Sequence, residues 1–286
     1  MKRVPVKKRL TRSQTKFKDT VSRGAVPASD RGFLYGDGLF ETIAIQSGYP
    51  LLLPAHINRL AEGCQRLDIP IDEAMVRKSV LESSANIDLG ILRVSLTRGE
   101  GGEGYKPPEI VHPNIVISTR PWPHRPSRFA EEGIETGISE VNLSRQPLLA
   151  GLKHMNRLEQ VMARKHCPAT WPEVIMTSNS NEVIEGSQSN IFLLGDKDEL
   201  ITPDLSYCGV AGVIREAVIN LANDEGRPAV IRDIRFSELF SAKELFFTNS
   251  VIGVWPVRKL EGKTFEINTA LEIHAKLKRL GAVVNA

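Results

Sequence analysis

The chain has 286 residues, 41% of them hydrophobic and 25% charged, with a formal net charge of +3. That length supports one large domain or two medium ones, each with its own core, and the composition is that of a globular protein. No run of about 18 apolar residues exists, so no transmembrane helix is expected. The opening MKRVPVKKRL has no apolar core, so no secretory signal is expected. Three scattered cysteines, Cys64, Cys167 and Cys208, form no CxxC pair. They suggest a reducing, cytoplasmic setting with neither a disulfide framework nor a metal site. The charge is uneven. Residues 1–24 hold nine Lys/Arg and one acid, Asp19, a net +8, so the rest of the chain carries −5. A basic arm can meet nucleic acid or a membrane surface. This one has no interleaved aromatics beyond Phe17, and the body shows no basic recognition motif. A partly disordered leader is expected, with no nucleic-acid and no membrane partner.

After the leader, FLYGDGLFETIAIQSGYPLLL reads as strand, turn, strand, with TIAI and PLLL as the apolar runs and QSGY as the turn. Ile57, Leu60, Cys64 and Leu67 then recur at helical spacing, with a proline near the start. Residues 72–84 read as a second helix. Leu92, Val94 and Leu96 alternate with Arg93 and Ser95, a half-buried strand, and NIVIST (114–119) is another. Between them RGEGGEGYKPP (98–108) is a glycine loop. RPWPHRPSRF (120–129) carries three prolines and three arginines and reads as an interdomain linker. The expected organisation is a leader over 1–24, a small α/β domain over 25–120, a linker over 121–127 and a larger domain over 128–286. The second part reads as short strands around EVIMTSNSNEVIEGSQSNIFLL and ELFFTNS. Helical runs follow Lys153 (Met155, Leu158, Met162) and Gly212, and a last one covers 267–280.

Single residues carry weak signals. Lys153 in AGLKHMNRLEQ is an ordinary solvated charge unless burial or a cationic neighbour lowers its pKa. Glu185, ahead of Gly-Ser and the apolar NIFLL, is a turn-side acid or a carboxylate facing a pocket. Asn190 is a turn residue or one that fixes neighbouring backbone. CGVAGVIREAV (208–218) runs from a glycine-spaced turn into a helix, whose free N–H groups suit an anion. No GKS/T follows, so it is not a P-loop. Thr248 or Ser250 could add a hydroxyl. Arg59 lies at the edge of an apolar helix face, from which its guanidinium can reach a phosphate. A lysine, an acid, an arginine and an anion cup together fit pyridoxal 5′-phosphate chemistry.

Seven segments strengthen that reading: SDRGFLYGDGLFET, HINRL, TRGEGGEGY, GLKHMNRLEQV, EVIEGSQSNIF, GVAGVIR and FFTNSVIGVWPV, in order from about residue 29 to 257. With them the chain resembles the fold-type IV pyridoxal-phosphate enzymes, which include branched-chain and D-amino-acid aminotransferases and aminodeoxychorismate lyases. The resemblance implies a two-domain α/β fold, a small N-terminal domain and a larger barrel-like C-terminal one. It implies Lys153 as the lysine that forms the imine with the cofactor, Glu185 as partner of the pyridinium nitrogen and Arg59 as a phosphate ligand. The backbone N–H groups of Val213 and Ile214 and the Ser250 hydroxyl would complete the phosphate site, with Asn190 ordering the region near Glu185. Tyr35, Arg98 and Tyr105 would touch substrate, Tyr35 and the 98–105 loop across the interface of a homodimer. LAGLKHMNRLEQV and RGEGGEGYKPP look most like the lyase branch, which makes 4-aminobenzoate and pyruvate from 4-amino-4-deoxychorismate for folate synthesis. The loop departs from that branch at Glu103, where an arginine is usual. The alternative is an aminotransferase acting on D- or branched-chain amino acids. No metal is expected.

Overall fold

The computed structural model describes residues 26–285; the basic leader lies outside them. Its first part runs α1 (Arg31–Tyr35), β1 (Gly38–Gln46), β2 (Tyr49–Pro50), α2 (Leu53–Arg66), α3 (Glu73–Ser84), β3 (Leu89–Thr97) and β4 (Asn114–Pro121). The four strands form one antiparallel sheet in the order β2-β1-β3-β4. Side chains alternate across a strand. On β1, Leu39, Ile43 and Ile45 join the core with Ile57, Leu60 and Cys64 of α2 and Val76 and Val80 of α3. Phe40 and Thr42 stand on the other face and line a cavity. The expected α2 face is therefore the buried one, and Asp72 caps α3 by accepting from the Met75 N–H at 2.9 Å.

PLLL is not a strand. Pairing stops at Pro50, and Leu53 opens α2. Proline lacks an N–H and fits the first helical turn, where that donor has no partner, so Pro54 draws the run into the helix.

The second part runs α4 (Arg128–Glu131), β5 (Ile134–Thr136), α5 (Leu158–His166), β6 (Ile175–Thr177), β7 (Glu182–Gly186), β8 (Asn190–Leu194), β9 (Leu200–Pro203), α6 (Val213–Asp224), β10 (Val230–Arg232) and β11 (Ile234–Arg235). A 3₁₀ turn (Phe236–Phe240), β12 (Glu244–Asn249), β13 (Gly253–Leu260), β14 (Lys263–Thr264) and α7 (Asn268–Arg279) complete it. One sheet has the order β10-β9-β8-β12-β13-β14, with β5 added beside β13, and a three-stranded sheet has the order β11-β7-β6. One core packs between these sheets around Ile191, Phe247 and Trp255. Another lies under α6 and α7, where Phe192 and Phe246 stack at 5.1 Å. The mixed α/β class is as expected.

The helix expected directly after Lys153 begins five residues later, at Leu158. Residues 153–155 are held beside β1 instead. The Phe40 N–H donates to the Lys153 carbonyl and the Met155 N–H to the Gly38 carbonyl, both at 3.0 Å. The expected apolar stripe of α5 is also exposed: Leu158 at 77% and Met162 at 39%, with Gln160 and Ala163 buried in their place.

Candidate active site

Lys153, Glu185, Asn190, Arg59, Val213, Ile214 and Ser250 all line one cavity of about 460 Å³. They come from segments up to 191 residues apart, counting from Arg59 to Ser250. Lys153 reaches it because residue 151 is a glycine. Gly151 has φ +80°, a conformation open to glycine without strain, and its N–H donates to the Gly209 carbonyl at 2.9 Å. The chain then turns to lay Lys153 along β1. Burial pushes the Lys153 ammonium down to about 7, aided by the like charges of Arg59 and Arg157 and opposed by Glu41 and Glu185. Its Nζ stands 4.5 Å from the centre of the Phe40 ring.

Glu185 sits on β7 at 4% exposure. The Val210 N–H donates to its Oε2 at 2.8 Å. Burial nevertheless raises this carboxyl to about 7, against the lowering effect of Arg157, the Val210 N–H and Lys153. Asn190, at the start of β8, donates from Nδ2 to the Val210 carbonyl at 2.8 Å. Glu185 and Asn190 thus hold the same residue, Val210, by its N–H and by its carbonyl.

The segment expected to form an anion cup is the start of α6. Its N-cap, Gly212, supplies no side-chain cap, which leaves the first N–H groups of the helix open. A Cβ at Gly212 would meet Asn190 Oδ1 at 2.0 Å, so only glycine lets the two approach. Thr248 and Ser250 line the same cavity. The Thr248 hydroxyl is buried without a hydrogen-bond partner among the described residues. Arg59 is locked in place: Nε donates to Glu41 Oε1 at 2.8 Å, Nη2 to Glu41 Oε2 at 2.5 Å and Nη1 to the Ala211 carbonyl at 2.9 Å. Glu41 also meets His56 Nδ1 at 2.6 Å. Burial would raise Glu41, but Arg59 and His56 overcome it and hold the carboxyl at about 2. Burial keeps His56 below its ordinary value despite Glu41. Its Nε2 stands 3.4 Å from the Ser250 hydroxyl.

Glu41 and His56 escaped sequence reading. The signal was available for Glu41: it occupies an odd position of β1, among Leu39, Ile43 and Ile45, and a charge on a buried face needs a partner. Arg120, Arg125 and Arg164 also line the cavity and were not singled out; nothing in local spacing marks them.

Three residues expected at the substrate, Tyr35, Arg98 and Tyr105, do not line this chain's own cavity. Arg98 is buried and bound to the protein's own acceptors. It donates to Asp37 Oδ2 at 2.8 Å, to the Asp68 carbonyl at 3.0 Å and to the Leu67 carbonyl at 2.7 Å, tying the end of β3 to the end of α2. Tyr35 and Tyr105 pack edge to face at 5.2 Å on the surface and do not line this chain's cavity. Arg31 holds their loop, donating to the carbonyls of Gly101, Gly104 and Tyr105 at 3.2, 2.9 and 3.0 Å. Glu103 on that loop is exposed.

The description of the amino-transferase class IV family matches residues 38–260. An aminodeoxychorismate lyase of Vibrio harveyi is 35% identical over 234 residues, 81% of this chain and 86% of that protein. A bifunctional aminodeoxychorismate lyase / D-amino acid transaminase of Mycobacterium tuberculosis is 24% identical over 270 residues, 87% of this chain and 91% of that protein. A crystal structure of a 4-amino-4-deoxychorismate lyase from Pseudomonas aeruginosa superposes with a TM-score of 0.86 at 41% identity, covering 90% of this chain and 95% of that one. With the family pattern spanning residues 38–260, from β1 through Lys153 and α6 to β13, this chain belongs to the amino-transferase class IV family.

Proposed function

We propose that the protein is a pyridoxal 5′-phosphate-dependent lyase that converts 4-amino-4-deoxychorismate to 4-aminobenzoate and pyruvate. The observation that favours a lyase over other family members is the 41% identity to the Pseudomonas aeruginosa lyase over 90% of the chain. The residues fit the cofactor. Thr248 offers a buried hydroxyl without a partner, α6 offers open N–H groups, and Arg59 is fixed beside them. Together they suit a phosphate. Glu185 is a carboxyl that burial holds near 7, and a protonated ring nitrogen against it would favour its ionised form. When bound, the cofactor provides an electron-withdrawing ring that stabilises negative charge on the amine-bearing carbon of the substrate.

The chain's own groups do the rest. Arg59, Val213, Ile214, Ser250 and Thr248 would hold the phosphate. Glu185 would keep the ring nitrogen protonated, and Asn190 holds Val210, whose N–H donates to Glu185. Lys153 Nζ, with its pKa near 7, takes the proton from the amine-bearing carbon; a base works best when its pKa lies near the ambient pH. Loss of that proton and cleavage of the ring carbon–oxygen bond leave an aromatic ring, and the departing enolate collects a proton at carbon to become pyruvate. The same reading takes 25–120 and 128–286 as two domains meeting at the cavity. It also takes the protein as a cytoplasmic homodimer. In that reading a second copy would cover some of the large apolar side chains exposed here, among them Phe33, Leu34, Tyr105, Leu148, Leu158 and Val161.

The test is direct. Incubation with 4-amino-4-deoxychorismate should release pyruvate and 4-aminobenzoate in equal amounts, with no amino transfer to 2-oxoglutarate. Lys153→Ala should lower the rate by about 10³-fold or more, and borohydride reduction of the wild type should mark Lys153. The second reading, an aminotransferase, draws on the bifunctional mycobacterial relative; transfer to 2-oxoglutarate without pyruvate release would select it.

A further inference from the structure

We infer that Arg120 and Arg125, with Arg164 beside them, form a carboxylate-binding wall at the outer end of the cavity that takes the ring carboxylate of the substrate. The inference rests on the lyase reading above and names the contacts that would give it selectivity.

Strand register places the first residue. In an antiparallel sheet, directly opposed residues share a face. Thr42 opposes Arg93 and Ala44 opposes Ile91, which in turn opposes Arg120. Arg120 therefore stands on the same face as Phe40 and Thr42, and all three line the cavity. Arg125 comes from the connection after β4 and is half-buried, its guanidinium 4.9 Å from the centre of the Trp255 ring. Arg164 comes from α5 and is anchored by donation to the Trp171 carbonyl at 3.0 Å. Three separate elements thus bring guanidinium groups to one wall.

The electrostatic neighbourhoods divide the cavity into two ends. The charged neighbours of Lys153 are Arg59, Glu41, Arg157 and Glu185. Those of Arg125 are Glu173, Arg120 and Arg164. Glu173 is already taken up by the 187–189 turn, accepting from the Ser187 N–H at 2.8 Å and the Ser189 hydroxyl at 2.7 Å. Glu185 is the one carboxylate among the lining residues, and it sits at the lysine end. Among the described residues no acid lies within ion-pair distance of Arg120, Arg125 or Arg164, whereas Arg59 has Glu41. Arg125 and Arg164 are half-buried and Arg120 is exposed; guanidinium groups gathered there without a carboxylate favour an incoming anion, and their planar fork suits a carboxylate.

The substrate's shape matches this division. Its ring carboxylate lies para to the amine, and the enolpyruvyl ether lies next to it. With the amine-bearing carbon at Lys153, the ring carboxylate is carried to the end farthest from the lysine. The product 4-aminobenzoate keeps that carboxylate and pyruvate does not.

The experiment uses the holoenzyme with Arg120→Gln, Arg125→Gln and the conservative Arg125→Lys. Retention of the visible cofactor band certifies the fold and the lysine end. For each Gln variant, KM for 4-amino-4-deoxychorismate should rise about tenfold, the order expected for one charge-assisted hydrogen bond, with kcat within about twofold. Product inhibition by 4-aminobenzoate should weaken in parallel, inhibition by pyruvate should stay unchanged, and Arg125→Lys should recover part of the loss. Unchanged KM and unchanged 4-aminobenzoate inhibition in variants that keep the cofactor band would overturn the wall. So would loss of pyruvate inhibition in place of 4-aminobenzoate inhibition. If the wild type releases no pyruvate, the lyase reading fails by itself. Calorimetric binding of 4-aminobenzoate to the wild-type and Arg125→Gln holoenzymes then still decides the wall: tighter binding to wild type supports it, and equal or absent binding removes it.

Discussion

The two ends of the cavity treat charge in opposite ways. At the lysine end, Arg59 is answered by Glu41, Glu41 by His56, and both partners of the ion pair are buried or nearly so, at 13% and 2% side-chain exposure. At the outer end, Arg120 and Arg125 have no acid at ion-pair distance among the described residues. Where the protein supplies the counter-charge, a side chain is fixed before any ligand arrives, which is what the proposed phosphate site requires. Where it does not, the charge is left for the ligand to satisfy, and that is where selectivity between substrates can arise.

The sharpest way to break this contrast is Glu41→Gln. Removing one partner of a buried ion pair leaves an uncompensated charge. The ligand-free protein should lose about 3 kcal/mol of unfolding free energy in denaturant titration, whereas Arg120→Gln should change it by less than about 0.5 kcal/mol. Equal losses would mean that the two ends do not differ.

A smaller effect comes from pH. Lys153 is held at about 7 against an ordinary 10.5, so between pH 7 and 10.5 the ligand-free folded state binds fewer protons than the unfolded one. Its stability contribution therefore rises with pH through that window. Glu185 is raised to about 7 from 4.5, so the folded state binds more protons between pH 4.5 and 7, and stability falls there. Lys153→Met should raise Tm most below pH 7 and lose that advantage by about pH 10.5. Glu185→Gln should gain its advantage as pH climbs from 4.5 to 7. Shifts on the order of 3 °C are expected by calorimetry of the ligand-free protein. Profiles parallel to wild type would show that neither group is buried as described.

The smallest effect sharpens the anion cup. Thr248→Val removes a hydroxyl that has no partner, so the ligand-free protein should be unchanged or more stable by up to about 1 kcal/mol. Its affinity for pyridoxal 5′-phosphate should fall about fivefold in a fluorescence titration, the cost of one hydrogen bond to the bound group. Unchanged affinity would leave the phosphate to Ser250 and α6.

Local pattern reached some features and missed others for identifiable reasons. The α2 face and the β3 alternation were legible because burial on one side imposes a period on neighbouring residues. PLLL misled because its residues are apolar in either conformation, and Pro54 decided between them. The stripe Leu158 and Met162 misled in another way: helical spacing shows that residues share a face, not whether that face is buried in this chain. Arg98 was placed with the substrate by resemblance. The carbonyls of Leu67 and Asp68, some thirty residues earlier, claim it instead.

By itself the sequence determined the chemical inventory: a lysine after a glycine turn, an acid before Gly-Ser, a glycine leading into α6 and an arginine on the edge of α2. Those are properties of single segments. Tertiary structure decided which of them meet. Backbone hydrogen bonds from Phe40 and Met155 lay Lys153 along β1. Glu41 joins α2 to the sheet. Strand register carries Arg120 to the cavity face. The physical reason is that a buried charge or open peptide group must be satisfied by whatever the fold brings near, and that partner is often a hundred residues away.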